Sequence, residues 1–79
     1  MNLRSAVELF EKPGLGRVDK AIAPNHRGRV FFEGTYWPAR LYSVDAPLMA
    51  IAEVESAVSV LGRQGLTLLV RPFVTNPVG

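Results

Sequence analysis

The residues able to do chemistry in this chain are few, beginning with a single histidine and no cysteine. A Ser-His dyad or an imidazole-ligated metal would have to use His26. It lies in the turn-prone stretch Pro24-Asn25-His26-Arg27-Gly28, with no carboxylate at a ligand spacing. His26 therefore reads as a solvated turn histidine. Ser5, Ser43, Ser56 and Ser59 include no nucleophile elbow of the G-x-S-x-G kind. The glycine pair of Pro13-Gly14-Leu15-Gly16 lacks the G-x-G-x-x-G or G-K-[ST] continuation. It also precedes a predicted strand, whereas a phosphate cradle needs the amide donors of a following helix N-terminus. It reads as a linker. Glu53 and Glu55, two apart on a predicted strand, share one face, but with no second acidic pair solvation accounts for them better than acid–base catalysis. The sequence thus yields no catalytic residue, no metal site and no cofactor site, and an enzyme is not the expected reading. A site completed only between subunits stays open.

A different set of residues points to binding. If the run from Arg29 to Glu33 and the run from Tyr36 to Val44 are strands, alternation sends Val30, Phe32, Trp37, Ala39 and Leu41 inward. Arg29, Phe31, Glu33, Arg40 and Tyr42 then point outward. Arg29, Phe31, Arg40 and Tyr42 form the candidate binding set, a mixed aromatic and basic face. Aromatic residues and arginine are enriched at protein–protein hot spots, and the same mixture stacks and neutralises single-stranded nucleic acid. A third reading leaves no free face at all, because an N-terminal helix carrying Leu3, Val7 and Phe10 could cover it. Trp37 is assigned to the core by its phase.

The elements that must position this set follow from periodicity. Leu3, Ala6, Val7 and Phe10 recur at helical spacing, Ser5 and Glu8 have the form of a capping box, and Lys12-Pro13-Gly14 stops the run, so a short helix is predicted over Leu3 to Glu11. Arg17 to Ala23 reads as a strand. The two runs around Gly34-Thr35 read as a hairpin, with an edge or a bulge at Pro38, which lacks an amide donor. Asp45 to Ala52 is read as a loop with at most a short helix, which could bury Leu48, Met49 and Ile51. Alternation returns at Val54, Val58 and Val60, and after a turn at Gly62-Arg63-Gln64-Gly65 the run Leu66 to Arg71 completes a second hairpin. Five short strands with glycine corners suit a small Greek-key barrel, an all-β fold, carrying the N-terminal helix. The expected division is helix and linker over residues 1–15, barrel over 16–72 and tail over 73–79.

With 79 residues, the chain has room for one thin core, so contact with a partner or a second copy could add to stability. The net charge of +2 is spread along the chain rather than gathered in a stripe, which argues only weakly for nucleic acid. No apolar run approaches the roughly 18 residues of a membrane span, and the N-terminus lacks the apolar core of a signal peptide, so the cytoplasm is the expected compartment.

The run Gly28-Arg29-Val30-Phe31-Phe32-Glu33-Gly34-Thr35-Tyr36-Trp37-Pro38-Ala39 combines a glycine, an alternating strand, a glycine turn and Trp-x-Ala. Val58-Ser59-Val60 and Gly65-Leu66-Thr67-Leu68-Leu69-Val70 continue the pattern. Together, from about Val18 to Pro72, they resemble the C-terminal soluble domain of the NfeD family. The resemblance implies a five-stranded OB-fold barrel, in agreement with the strand count. In that family the domain usually follows transmembrane helices, sometimes after a serine-protease domain, and the proteins are associated with stomatin-like (SPFH) membrane proteins. This sequence carries neither addition. What the resemblance implies for it is protein–protein contact supporting a membrane-associated assembly, with the chain recruited to the membrane by its partner. Two positions depart from the family pattern. His26 stands where a proline is usual, and Glu55 stands where a glycine is usual.

Overall fold

The computed structural model describes residues 6–42 and 51–72. Five strands, β1 (Val7–Lys20), β2 (Gly28–Phe32), β3 (Thr35–Leu41), β4 (Ala57–Gln64) and β5 (Thr67–Pro72), close into a barrel in the order β1-β2-β3-β5-β4. All neighbours are antiparallel except β3 and β5, which run parallel. The all-β barrel expected from the sequence is therefore present, and its interior follows the two-residue period of a strand. Val30 and Phe32, Ala39 and Leu41, Val58 and Val60, Leu68 and Val70 all point into one apolar core with Val18 and Ile22. Trp37 is half-buried against the same cluster, and its indole Nε1 donates to the Phe32 carbonyl at 3.1 Å.

The hairpins form where the alternating runs suggested, with shifted turns. Between β2 and β3 the corner is Glu33-Gly34, not Gly34-Thr35, with φ of 52° and 85°. Positive φ at both central residues is the type I′ geometry that matches strand twist. Between β4 and β5 the corner is Gly65-Leu66, with φ 63° at Gly65. Gly62, Arg63 and Gln64, read from sequence as part of the turn, complete β4 instead. Pro38 sits where β3 has β2 alone as neighbour, since pairing with β5 begins at Ala39, so the missing amide costs no ladder bond on that side.

The N-terminal helix is the main correction. From Val7 to Glu11 the chain is strand, and Lys12-Pro13-Gly14 lies inside β1 rather than ending a helix; residues 1–5, with Leu3, fall outside the described residues. Val7, Glu8 and Leu9 pair with Gln64, Arg63 and Gly62 of β4, and after a register shift Gly14 to Arg17 pair with Val60 to Ala57. This ladder closes the barrel, and its backbone pairing outweighs a weak local helical period. Phe10 packs against the core, while Val7 and Leu9 stay exposed. Gly14 and Gly16, read as a linker, are also in β1. A Cβ at Gly14 would lie 2.5 Å from Cε1 of Phe32, so the bare glycine makes room for that ring.

Before β4, Glu53 and Glu55 lie in a turn and not on a strand. Ile51 is exposed where burial was expected, and Ala52 is buried instead, bridged to Ile22 by backbone hydrogen bonds of 2.8 and 2.9 Å. Leu48, Met49 and the tail over 73–79 lie outside the described residues.

Candidate protein-docking face

The outer side of the first hairpin is assembled by cross-strand pairing. Arg17 of β1 stands opposite Phe31 of β2, and Phe31 opposite Tyr36 of β3, giving a row perpendicular to the strands. The Phe31 and Tyr36 rings meet edge to face with centroids 5.1 Å apart at 64°. The Arg29 guanidinium lies 5.1 Å from the centroid of the Tyr36 ring. It is held there by Asp19, whose Oδ2 accepts from Arg29 Nε at 2.8 Å and from Nη2 at 2.6 Å.

Asp19 reaches Arg29 because β1 is irregular at that point. Val18 pairs with Val30 and Lys20 with Arg29, so two residues oppose one across this bulge. The ion pair is over a third exposed on both sides and adds little stability, at most ~1 kcal/mol. Its consequence is geometric: the guanidinium is held over an aromatic ring.

Of the four residues expected on this face, Arg29 and Phe31 come together and Arg40 does not join them. Its Nη2 donates to Oε1 of Gln64 at 2.6 Å, and since Gln64 is on β4, the bond crosses β5 beside Leu69. Leu69 alternates out of the core with Leu68 and Val70 as inward neighbours, yet is fully buried. Tyr42 follows β3, half-buried, with its backbone N–H donating to the Val70 carbonyl at 2.9 Å. Tyr36, absent from the expected set, is the central residue of the cluster and 56% exposed. Its signal was the phase already used for Trp37, since an inward Trp37 requires an outward Tyr36 beside Phe31.

No helix covers this face among the described residues, because the segment expected to supply one is β1. Two open hollows flank Phe31 instead. One, of about 290 Å³, is lined by Asp19, Tyr36 and Val54 among others, and the second, of about 400 Å³, by Leu15, Glu33 and Ala57. Arg17, Phe31 and Glu55 border both.

Glu55 has φ 77°, the left-handed region that favours glycine. The turn it occupies is tied to β1: Glu55 N–H donates to the Val18 carbonyl at 2.8 Å, and Val18 N–H to the Ser56 carbonyl at 2.9 Å. A glycine would make the same backbone bond without the Cβ penalty of ~1–2 kcal/mol. Glu55→Gly is therefore expected to raise stability by about 1 kcal/mol after the added freedom of the unfolded chain is subtracted, lifting Tm by about 4–8 °C in a domain this small. A thermal melt followed by circular dichroism checks it, and a lowered Tm would contradict the assigned strain.

His26 is exposed in the tight turn that it closes with Ala23, its N–H donating to the Ala23 carbonyl at 3.0 Å. Among the described residues no group of three or more His, Asp or Glu side chains could hold a metal ion, and no helix is long and apolar enough to cross a membrane.

Comparison with known proteins points to partner binding. A family model described as the NfeD-like C-terminal, partner-binding domain matches residues 15–72, which takes in every strand from the second half of β1 onward. Neither a search of curated proteins nor a search of solved structures gives a match. With most of its length covered by that model, the chain belongs to the NfeD family, as a domain of the C-terminal, partner-binding type.

Proposed function

We propose that this chain is a non-enzymatic docking module, an OB-fold barrel that binds a protein partner through the outer face of β1, β2 and β3, in assembly with stomatin/SPFH-type membrane proteins. The observation that carries the reading is the Arg29–Tyr36–Phe31 cluster, a set of side chains held in place by one another on a strand face that no other described residue covers. Pre-organised aromatic and arginine side chains lose little entropy on binding and supply large contact area, which is why such residues dominate interface energetics. The strand order, with β3 and β5 parallel in a closed five-stranded barrel, supports the OB-fold assignment. Recruitment by such a partner would bring a chain that is itself without a membrane-spanning helix among its described residues to the membrane surface.

The arrangement of charges favours protein over single-stranded nucleic acid. Arg29 is engaged by Asp19 and Arg40 by Gln64, while Asp19 and Glu55 place carboxylates beside the aromatic row where phosphates would have to pass. Arg29, Phe31 and Tyr36 are the residues on which binding should depend most, with Arg40 and Tyr42 at the margin of the face. The test is calorimetric titration of the purified chain with a purified stomatin/SPFH domain. Binding by the wild type, weakened at least about 30-fold by the double substitution Phe31→Ala with Tyr36→Ala, is expected, since hot-spot truncations cost about 2 kcal/mol or more. Equal affinity in a correctly folded double variant would overturn the face, and salt-sensitive binding of a short oligonucleotide in place of the protein would overturn the partner class.

A further inference from the structure

Glu55 keeps a side chain where the backbone conformation disfavours one, and that side chain gives the fold nothing in return. Among the described residues its carboxylate has no hydrogen-bond or ion-pair partner, and the hydrogen bond that ties Glu55 to Val18 belongs to the backbone. Strain retained without a structural return is characteristic of a residue kept for an external contact. Its position agrees, because Glu55 borders both hollows beside Phe31.

The charges around these hollows are unbalanced. Asp19 and Arg29 neutralise each other, which among the described residues bordering the hollows leaves Arg17 as the one free cation against two free carboxylates, Glu33 and Glu55. The local balance is thus acidic in a chain whose net charge is +2. Apolar side chains stand among these charges: Leu15, Val54 and Tyr36 are each more than half exposed around the half-buried Phe31. A hollow walled mostly by polar groups beside one walled mostly by apolar groups, with Glu55 bordering both, fits a chain that alternates apolar with basic side chains.

We infer that the two hollows flanking Phe31 receive an extended segment of the protein partner bearing apolar side chains and a lysine or arginine, and that Glu55 is the residue that recognises the basic side chain. This rests on the docking-face reading above and adds to it the chemistry of the occupant. The aromatic row would supply contact area, and Glu55 would select charge, because a carboxylate placed between apolar contacts penalises an acidic segment as well as favouring a basic one.

The experiment is a nuclear magnetic resonance titration of the isotope-labelled chain with two synthetic peptides of equal length and equal leucine content, one with lysine and the other with glutamate at the intervening positions. The lysine peptide is expected to shift the amide signals of Leu15 to Val18, Phe31 and Val54 to Ala57, and the glutamate peptide to bind at least about tenfold more weakly, the worth of one charge-assisted contact. Glu55→Gln, which keeps the left-handed backbone and removes only the charge, should weaken the lysine peptide by a similar factor. Glu55→Gly should weaken it too while raising Tm, separating recognition from folding. Equal binding of both peptides, or full affinity in Glu55→Gln, overturns the role of Glu55 and leaves the docking face standing. Absence of any shift at these amides with either peptide overturns the face as well.

Discussion

Gly28→Ala is expected to leave the chain largely unfolded at 25 °C. Gly28 opens β2 where the chain returns from the Ala23–His26 turn, and a Cβ there would run into the backbone carbonyl oxygens of Lys20 and Ala21 and lie 2.6 Å from Cγ1 of Ile22. Two of those atoms are main chain, so no side-chain rotation relieves the overlap; β1 and β2 must separate where Arg29 pairs with Lys20. Forcing packed backbone apart costs upwards of about 3 kcal/mol, against a total of about 3–5 kcal/mol that a core of this size supplies. Loss of the near-ultraviolet circular dichroism signal is the measurement. Gly34→Ala is the control for substituting glycine as such. Nothing lies within 4 Å of a Cβ at that position, and only its φ of 85° opposes a side chain, so the cost should be about 1 kcal/mol and the melt should stay cooperative. A Gly28→Ala protein melting within a few degrees of wild type would show that the strands do not approach as described.

Leu68→Ala should produce the second large effect. Leu68 is 2% exposed and points into the barrel with Val70, opposite Ala39 across the parallel β3–β5 pairing. The interior is apolar throughout, with no buried polar side chain among the described residues. Water therefore has no partner there to fill the vacated space. Truncating a buried leucine in such a setting costs about 2–5 kcal/mol, through lost transfer energy and an unfilled cavity. Urea denaturation should show the midpoint falling sharply or the native baseline disappearing. Leu66→Ala, two residues away at a turn position 73% exposed, should change stability by no more than about 0.5 kcal/mol. Comparable losses in the two variants would contradict the assigned faces of the second hairpin.

The parts of this molecule legible in its sequence are those governed by neighbours along the chain. Val30, Phe32, Ala39 and Leu41 could be assigned inward from alternation alone, and the same phase placed Phe31 and Arg29 outside. What was lost depended on contacts distant in sequence. Val7 to Leu9 is strand because Gln64 to Gly62 of β4 pairs with it, and nothing within the segment announces that partner. The corner at Glu33 was misplaced because glutamate is an unusual occupant of a left-handed turn position, and Glu55 was misread as a strand residue for the same reason. Arg40 and Phe31 looked like neighbours on one face, but the side on which an arginine finds its acceptor is set by Gln64, two strands away. Tyr36 is the exception, an omission that local phase could have prevented.

The seam between β1 and β4 carries a consequence for how the barrel forms. The hairpin of β2 and β3 closes across Glu33-Gly34 alone, whereas the seam unites Glu8 with Arg63, 55 positions apart. Loop-closure entropy rises with the intervening length, by roughly 0.6 kcal/mol for each doubling, and is incurred before the contacts that offset it are made. Hairpins can therefore form early and independently, while docking of the first strand onto the fourth has to wait for both. Folding speed is then governed by this long-range closure.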